Sequence, residues 1–274
     1  MPFTDWTSLK TTDFAGIDTA RAVALLPVGA TEQHGPHLPL ATDSVLGEGV
    51  ARVAGPLAQA ADVYLLPTIT YAKSDEHLSY PGTLTLSAET LMATLVEIGR
   101  SVARAGVKRL VLLNAHGGNV PVLQIVARRL RIEEGMLCVS AGWLTMGYPQ
   151  GLVSPQEMAR GIHGGFVETA AMLHLAPHLV DMTRAENFVP ASARVAEENE
   201  VLRMVGPVGM GWVSQDLHPA GVAGDAASAT AEAGRALIDH AATRYARLLD
   251  EVAAMPLPDP VIPAGTPGYA GPAA

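Results

Sequence analysis

Glu32, His34, His37 and Asp43 fall within the stretch GATEQHGPHLPLATDS, residues 29–44. Imidazole nitrogens beside carboxylate oxygens form a donor set that divalent ions such as Zn²⁺ or Mn²⁺ accept, so metal binding is the first chemistry to consider. Glu32 and His34 are two residues apart. In an extended segment both point into one cleft while Gln33 points the other way. Asp43 opens a helical pattern a few residues later, where its carboxylate can reach back toward the strand end and hold two cations at once. Plainer uses remain open: Asp43 suits a helix N-cap, and Glu32 with His34 suits a solvated surface pair. His37, between Pro36 and Leu38, reads as structural or substrate-facing rather than as a ligand.

Two further clusters carry histidines. In NAHGGN, residues 114–119, His116 follows an apolar run, and Gly117 and Gly118 let the backbone approach a ligand closely. The rival use of this segment is a phosphate cradle at a helix start, although it lacks the spacing and lysine of a phosphate loop. In GIHGGFVETAAM, residues 161–172, His163 precedes two glycines and Glu168 opens a helix. One of that pair can serve as a ligand and the other as a proton carrier. Glu168 equally suits a first-turn carboxylate that complements the helix dipole. His77, in SDEHLSYPGT, is placed to orient substrate or complete the pocket. Asp225 reads as the cap of the final helix.

These residues need elements to hold them. Four apolar runs, at 22–29, 63–71, 109–115 and 136–143, have the continuous hydrophobicity of strands covered on both faces. Segments of helical spacing lie between them. The alternation predicts a three-layer α/β/α fold with a largely parallel sheet, and in such sheets the ligand site lies beyond the carboxyl ends of the strands. Three strand ends then carry histidines and carboxylates toward one rim. VETAAMLHLAPHLV reads as a helix stopped at Pro177, and ATAEAGRALIDHAATRYARLLDEVAAM reads as a long terminal helix. One domain is expected over 1–254, followed by a Pro/Gly-rich tail over 255–274.

Composition narrows the partners. A chain of 274 residues with 49% hydrophobic and 16% charged residues has enough apolar surface for a sizeable core. The net charge of −9, with 18 scattered Lys and Arg, argues against nucleic acid and for a small-molecule ligand. No run reaches the roughly 18 to 20 apolar residues of a membrane span, and MPFTDWTSLK lacks the pattern of a signal peptide, so a cytoplasmic location is expected. The single cysteine, Cys138, reads as a small core residue.

Taken in order, GATEQHGPHLPLATDS, EHLSYPGTLTL, NAHGGN and HGGFVETAAML resemble the creatininase (creatinine amidohydrolase) family from about Val23 to the GVAGDAASATAEAG segment. The resemblance implies an α/β amidohydrolase with two divalent ions (Zn, Mn or Fe), assembled as a homo-oligomer, commonly a hexamer. It places Glu32, His34, Asp43 and His116 on metal-ligand positions, with Asp43 bridging, and His163 on the catalytic histidine. Creatininase carries a glutamate ligand where this chain has Gly118, and Glu168 is expected to fill that seat. The pocket tryptophans of creatininase have no match in SPQEMARGIHGG, which points away from creatinine itself. His77, Trp143, Gly117 and Gly118 make up the expected substrate-binding set. The function so implied is metal-dependent hydrolysis of a non-peptide C–N bond, in a cyclic amide or formamide. The alternatives are a peptidase or formamide deformylase of the same family, a non-catalytic nucleotide-binding α/β module, and an inactive relative serving as an assembly subunit.

Overall fold

In a computed structural model, which describes residues 3–206 and 208–259, the sheet begins with strand β1, Phe3–Asp5. The strands expected from the sequence follow as β2 (Ala22–Val28), β3 (Asp62–Leu65), β4 (Arg109–Asn114) and β5 (Leu137–Gly142). They form one sheet in the order β1-β3-β2-β4-β5, and every pairing is parallel. β1 was not anticipated, because three residues are too few to show a period.

Both faces of the sheet are covered, as the continuous apolar runs require. Along β2, Val23 and Leu25 join one hydrophobic cluster, while Ala22, Ala24, Leu26 and Val28 join the other. Side chains alternate across a strand, so a run buried on both faces must be apolar at every position. The first cluster lies under α1 (Thr42–Leu57), α5 (Phe166–Leu175) and α8 (Ala231–Ala254). The second lies under α2 (Ala88–Arg104) and α3 (Val120–Glu134). The three-layer α/β/α architecture is thus observed. Short helices α4 (Pro155–Arg160), α6 (Ala191–Glu198) and α7 (Ser214–Leu217), with a two-stranded ribbon of β6 (Asn187–Phe188) and β7 (Gly224–Asp225), complete the described chain.

Strand order locates the crevice. From β2 the chain crosses by α1 to β3 on one side, then returns by α2 to β4 on the other side and continues outward to β5. The progression therefore reverses between β2 and β4, the switch point at which open α/β sheets leave room for a ligand. The segments carrying Glu32 with His34, and His116, leave from these two strand ends.

Helix boundaries follow local chemistry. Ser87 accepts the Thr90 N–H at 3.2 Å to cap α2, and Gly135 adopts φ 64° where α3 ends. α5 stops at Leu175, ahead of Pro177 as expected. The cap of α8 is Thr230, whose Oγ1 accepts the Ala233 N–H at 3.1 Å, and not Asp225. Asp225 sits five residues too early and precedes a separate turn at Ala226–Ser228. At Gly234 a β-carbon would overlap the Ala170 carbonyl, so glycine there lets α8 approach the helix that carries Glu168. No described helix is long and apolar enough to cross a membrane. Of the expected tail, residues 255–259 form neither helix nor strand, and 260–274 lie outside the described residues.

Candidate metal centre

Beyond Val28 the chain runs into the segment holding Glu32 and His34, and Ser44 Oγ donates to the Ala30 carbonyl at 3.1 Å, pinning the start of α1 against it. Asp43, in the first turn of α1, is thereby brought beside the strand end. NAHGGN is shaped by its own asparagines. Asn114 Oδ1 accepts the His116 N–H at 3.2 Å and its Nδ2 donates to the His116 carbonyl at 2.7 Å. Asn119 donates to the Gly29 carbonyl at 3.0 Å and accepts the Lys73 N–H at 3.2 Å, so one side chain ties three loops together. The His163 segment is held by pairing with Ala223, whose N–H donates to the His163 carbonyl at 2.7 Å.

The side chains converge. His34 Nε2 lies 3.2 Å from Asp43 Oδ1 and 3.9 Å from Glu168 Oε2. His116 Nδ1 lies 3.2 Å from Glu32 Oε1 and 3.4 Å from Asp43 Oδ2. The two oxygens of Asp43 thus face two different imidazoles. His163 lies between the rings of His34 and His77, tilted to each, with centroids 4.1 and 4.4 Å away, and its Nδ1 is 3.7 Å from Glu32 Oε1. Glu32, His34, Asp43, His77, His116, His163 and Glu168 are all buried.

Three outer nitrogens define the tautomers. His34 Nδ1 faces the Glu32 carbonyl at 3.2 Å, His116 Nε2 the Lys73 carbonyl at 2.8 Å, and His163 Nε2 the Gln33 carbonyl at 2.8 Å. A carbonyl oxygen only accepts, so each of these nitrogens carries a proton, and in the neutral ring the inward nitrogen is left as a lone pair. Both Glu32 carboxylate oxygens, His34 Nε2 and Asp43 Oδ2 are buried without a hydrogen-bond partner. Buried polar atoms rarely stay unsatisfied, and the carboxylate oxygens, with the imidazole nitrogen of the neutral ring, offer electron pairs within one cluster. A cation is the species that satisfies them together. Three triads, Glu32/His34/Asp43, His34/His163/Glu168 and Glu32/His77/His163, have donor atoms close enough to share an ion.

A family model described as creatininase, creatinine amidohydrolase, matches residues 7–249. The chain belongs to the creatininase family. A mycofactocin precursor peptide peptidase of Mycobacterium ulcerans is 39% identical over 235 residues, covering 81% of this chain and 84% of that protein. A creatinine amidohydrolase of Pseudomonas putida is 32% identical over 198 residues, 65% of this chain and 74% of its own. Among solved structures, a tryptophan-to-phenylalanine creatininase variant superposes with a TM-score of 0.73 at 25% identity, covering 91% of this chain and 98% of its own. Another creatininase variant, described as the Zn–Zn type, shares the fold with a TM-score of 0.69 at 24% identity over 91% and 98% of the two chains. This creatininase-family chain is accordingly a hydrolase.

The charges in the creatininase-family site show what is missing from balance. Burial opposes ionisation of Glu32, yet the neighbouring His116, His163 and His77 hold its carboxyl far below the usual range. Burial, reinforced by the charge of Glu32, pushes the Asp43 carboxyl up. Burial likewise raises Glu168, with Asp43 and Glu32 adding repulsion against the pull of His34, to about 7. Burial would lower His34, but Asp43, Glu168 and Glu32 outweigh it and bring it to about 9. His116 is raised well above its ordinary value against the same burial penalty, chiefly by Glu32. Protons on these histidines therefore stand in for positive charge that three buried carboxylates demand. Burial and the charges of His34 and His77 hold His163 well below its usual value, so it stays neutral.

Several expectations need adjusting. Glu168 meets His34, not the His116 side where Gly118 lacks a side chain; its Oε2 also accepts the Gly164 N–H at 2.6 Å, so its helix-start role is real too. The carboxylate beside Gly118 belongs to Glu76, whose Oε1 is 3.5 Å from His116 Nε2. A β-carbon at 118 would overlap Glu76 Oε1 and His116 Nε2, so Gly118 makes room for protein side chains. Gly117 is exposed with open space around it. An anionic Glu76, and the proline in the first turn of α3, remove the basis for a phosphate cradle here. Trp143 is a core residue, 2% exposed, packed in the cluster beneath α1, α5 and α8; an indole filling that layer has no face left for substrate. His37 is structural: its Nε2 lies 3.1 Å from the Gly164 carbonyl and 3.0 Å from Thr169 Oγ1.

Gln33, Glu76 and Ser214 were missed. Glu76 adjoins His77 in DEH, a signal that was available, whereas nothing near Ser214 in the sequence marks it.

Proposed function

We propose that the protein hydrolyses an amide C–N bond with the help of two divalent cations. Glu32 and His116 would hold one ion and His34 and Glu168 the other, with Asp43 shared. The observation that carries this reading is the turning of Asp43 Oδ1 and Oδ2 toward two separate imidazoles, at 3.2 and 3.4 Å. Divalent cations in such a cradle polarise the substrate carbonyl and acidify water.

The protein's own groups then do the rest. His163 is neutral, holds its Nε2 proton against the Gln33 carbonyl and keeps the Nδ1 lone pair inward. It accepts a proton from the attacking water at Nδ1 and returns that proton to the departing amine nitrogen, as a general base and then a general acid. The neutral state imposed by burial keeps that lone pair available.

Among amides, a peptide substrate is supported by the 39% identity to a peptide peptidase across 81% of this chain. A cyclic amide is the second reading, supported by the 32% identity to a creatinine amidohydrolase. The test is turnover of short peptides and of creatinine by protein stripped with a chelator and reloaded with Zn²⁺, Mn²⁺ or Fe²⁺. Metal-dependent cleavage is expected, read as a freed amine from a peptide or as ring opening of creatinine. A protein that takes up no divalent ion would overturn the reading.

A further inference from the structure

Four histidines meet in the site, and three of them rest the outer nitrogen on a backbone carbonyl. His77 differs. Its outer nitrogen, Nδ1, lies 2.8 Å from Gln33 Nε2 and 2.6 Å from Ser214 Oγ. The Gln33 amide is oriented by two backbone partners: Oε1 accepts the Gly35 N–H at 3.0 Å and Nε2 donates to the Gly221 carbonyl at 2.6 Å. Turning the amide over would set oxygen against oxygen and N–H against N–H, so the group facing His77 is an N–H. A donor 2.8 Å away leaves Nδ1 no room for a proton of its own. The Ser214 hydroxyl has a single proton; given to His77 Nδ1 at 2.6 Å, the shorter of its two contacts, instead of to the Glu76 carbonyl at 3.0 Å, it is a second donor to Nδ1 and fits the same tautomer.

From this we infer that His77 enters the site as an N–H donor, in a tautomer imposed by Gln33, and that it positions Glu32 instead of ligating a metal. Its Nε2 faces Glu32 Oε1 at 3.3 Å, whereas His34, His116 and His163 each fix a proton on the outer nitrogen against a backbone carbonyl. A nitrogen that carries a proton has no electron pair for a cation, so the triad of Glu32, His77 and His163 is not an ion site despite its spacing. The N–H instead takes up part of the charge on Glu32 Oε1 and fixes the carboxylate plane, which sets how the remaining oxygen meets the cation. Outer partners of this kind commonly change metal affinity or activity about 10- to 100-fold. Gln33, which points away from Glu32 and His34, thereby acts on the site through His77.

This inference rests on the metal-hydrolase reading for its role in turnover but not for the tautomer. The experiment is long-range ¹H–¹⁵N NMR on protein with ¹⁵N-labelled histidine, metal-free and zinc-loaded, with His77 assigned through His77→Gln. His77 is expected to show a protonated Nε2 in both forms. In Gln33→Glu the carboxylate accepts from Nδ1–H, and the pattern is expected to reverse. Metal content supplies the second readout: His77→Ala should keep the wild-type number of ions per chain while kcat falls about tenfold or more, and His77→Gln, which restores an N–H, should recover part of kcat. A protonated Nδ1 in the wild type, or loss of one ion in His77→Ala, overturns the inference. If the wild type itself takes up no metal, the hydrolase reading fails while the metal-free spectrum still decides the tautomer.

Discussion

Asp43 Oδ1 stands 3.2 Å from His34 Nε2, and neither atom is exposed to solvent that could screen it. This contact joins the first turn of α1 to the segment after β2, and it makes Asp43 the hinge of the candidate centre. Asp43→Asn removes the charge while keeping the shape. Bound metal after gel filtration, measured by elemental analysis, is expected to fall by at least half, with affinity for the rest reduced more than about 100-fold. Full wild-type metal content in this variant would show that Asp43 does not ligate.

His163 is expected to behave in the opposite way. In His163→Ala the ligand set is complete, so metal content should match the wild type. The proton transfer is lost, and kcat is expected to drop roughly 10²- to 10⁴-fold with little change in KM. Steady-state kinetics beside elemental analysis separates the two effects.

Metal affinity should climb with pH. His34 is raised from 6.5 to about 9 by Asp43, Glu168 and Glu32 against the cost of burial, so a cation binding there must displace a proton. Below pH 9 the affinity is expected to rise about tenfold per pH unit for each proton displaced, levelling off above it. The same pairing stabilises the metal-free fold fully below pH 6.5 and is lost as pH rises through 9. Chelator-competition titrations between pH 7 and 9.5 give the slope, and a flat profile would contradict the assignment.

Gly118→Ala tests the packing on the far side of His116. The added methyl would overlap Glu76 Oε1 and His116 Nε2, so the loop must shift. A loss of about 1–3 kcal/mol is expected on overpacking grounds, together with weaker retention of the ion held by His116. Thermal unfolding with and without added Zn²⁺ reports both, and an unchanged Tm would mean that Glu76 moves aside freely.

How much of this was legible beforehand depends on range. The uniform burial of β2 was readable because a strand covered on both faces has no polar position, and AVALLPV has none. Glu32 and His34 were readable as a pair by their spacing, and Asp43 by its place at a helix start. Gln33 was readable only as pointing elsewhere, and what it meets there, the Gly221 carbonyl 188 residues on, is a fact of the folded chain.

The amino-acid sequence determined by itself the elements, the sheet with helices on both sides, and the list of side chains able to ligate or carry a proton. Those features rest on residue type and local period, which act over a few positions. Tertiary structure decided which carboxylate lies beside which imidazole, placing Glu168 with His34 and Glu76 behind His116. It also decided which nitrogen of each histidine is protonated. A tautomer depends on whether the outer nitrogen meets a donor or an acceptor, and for His77 that partner includes Ser214, 137 residues away and brought in by folding alone.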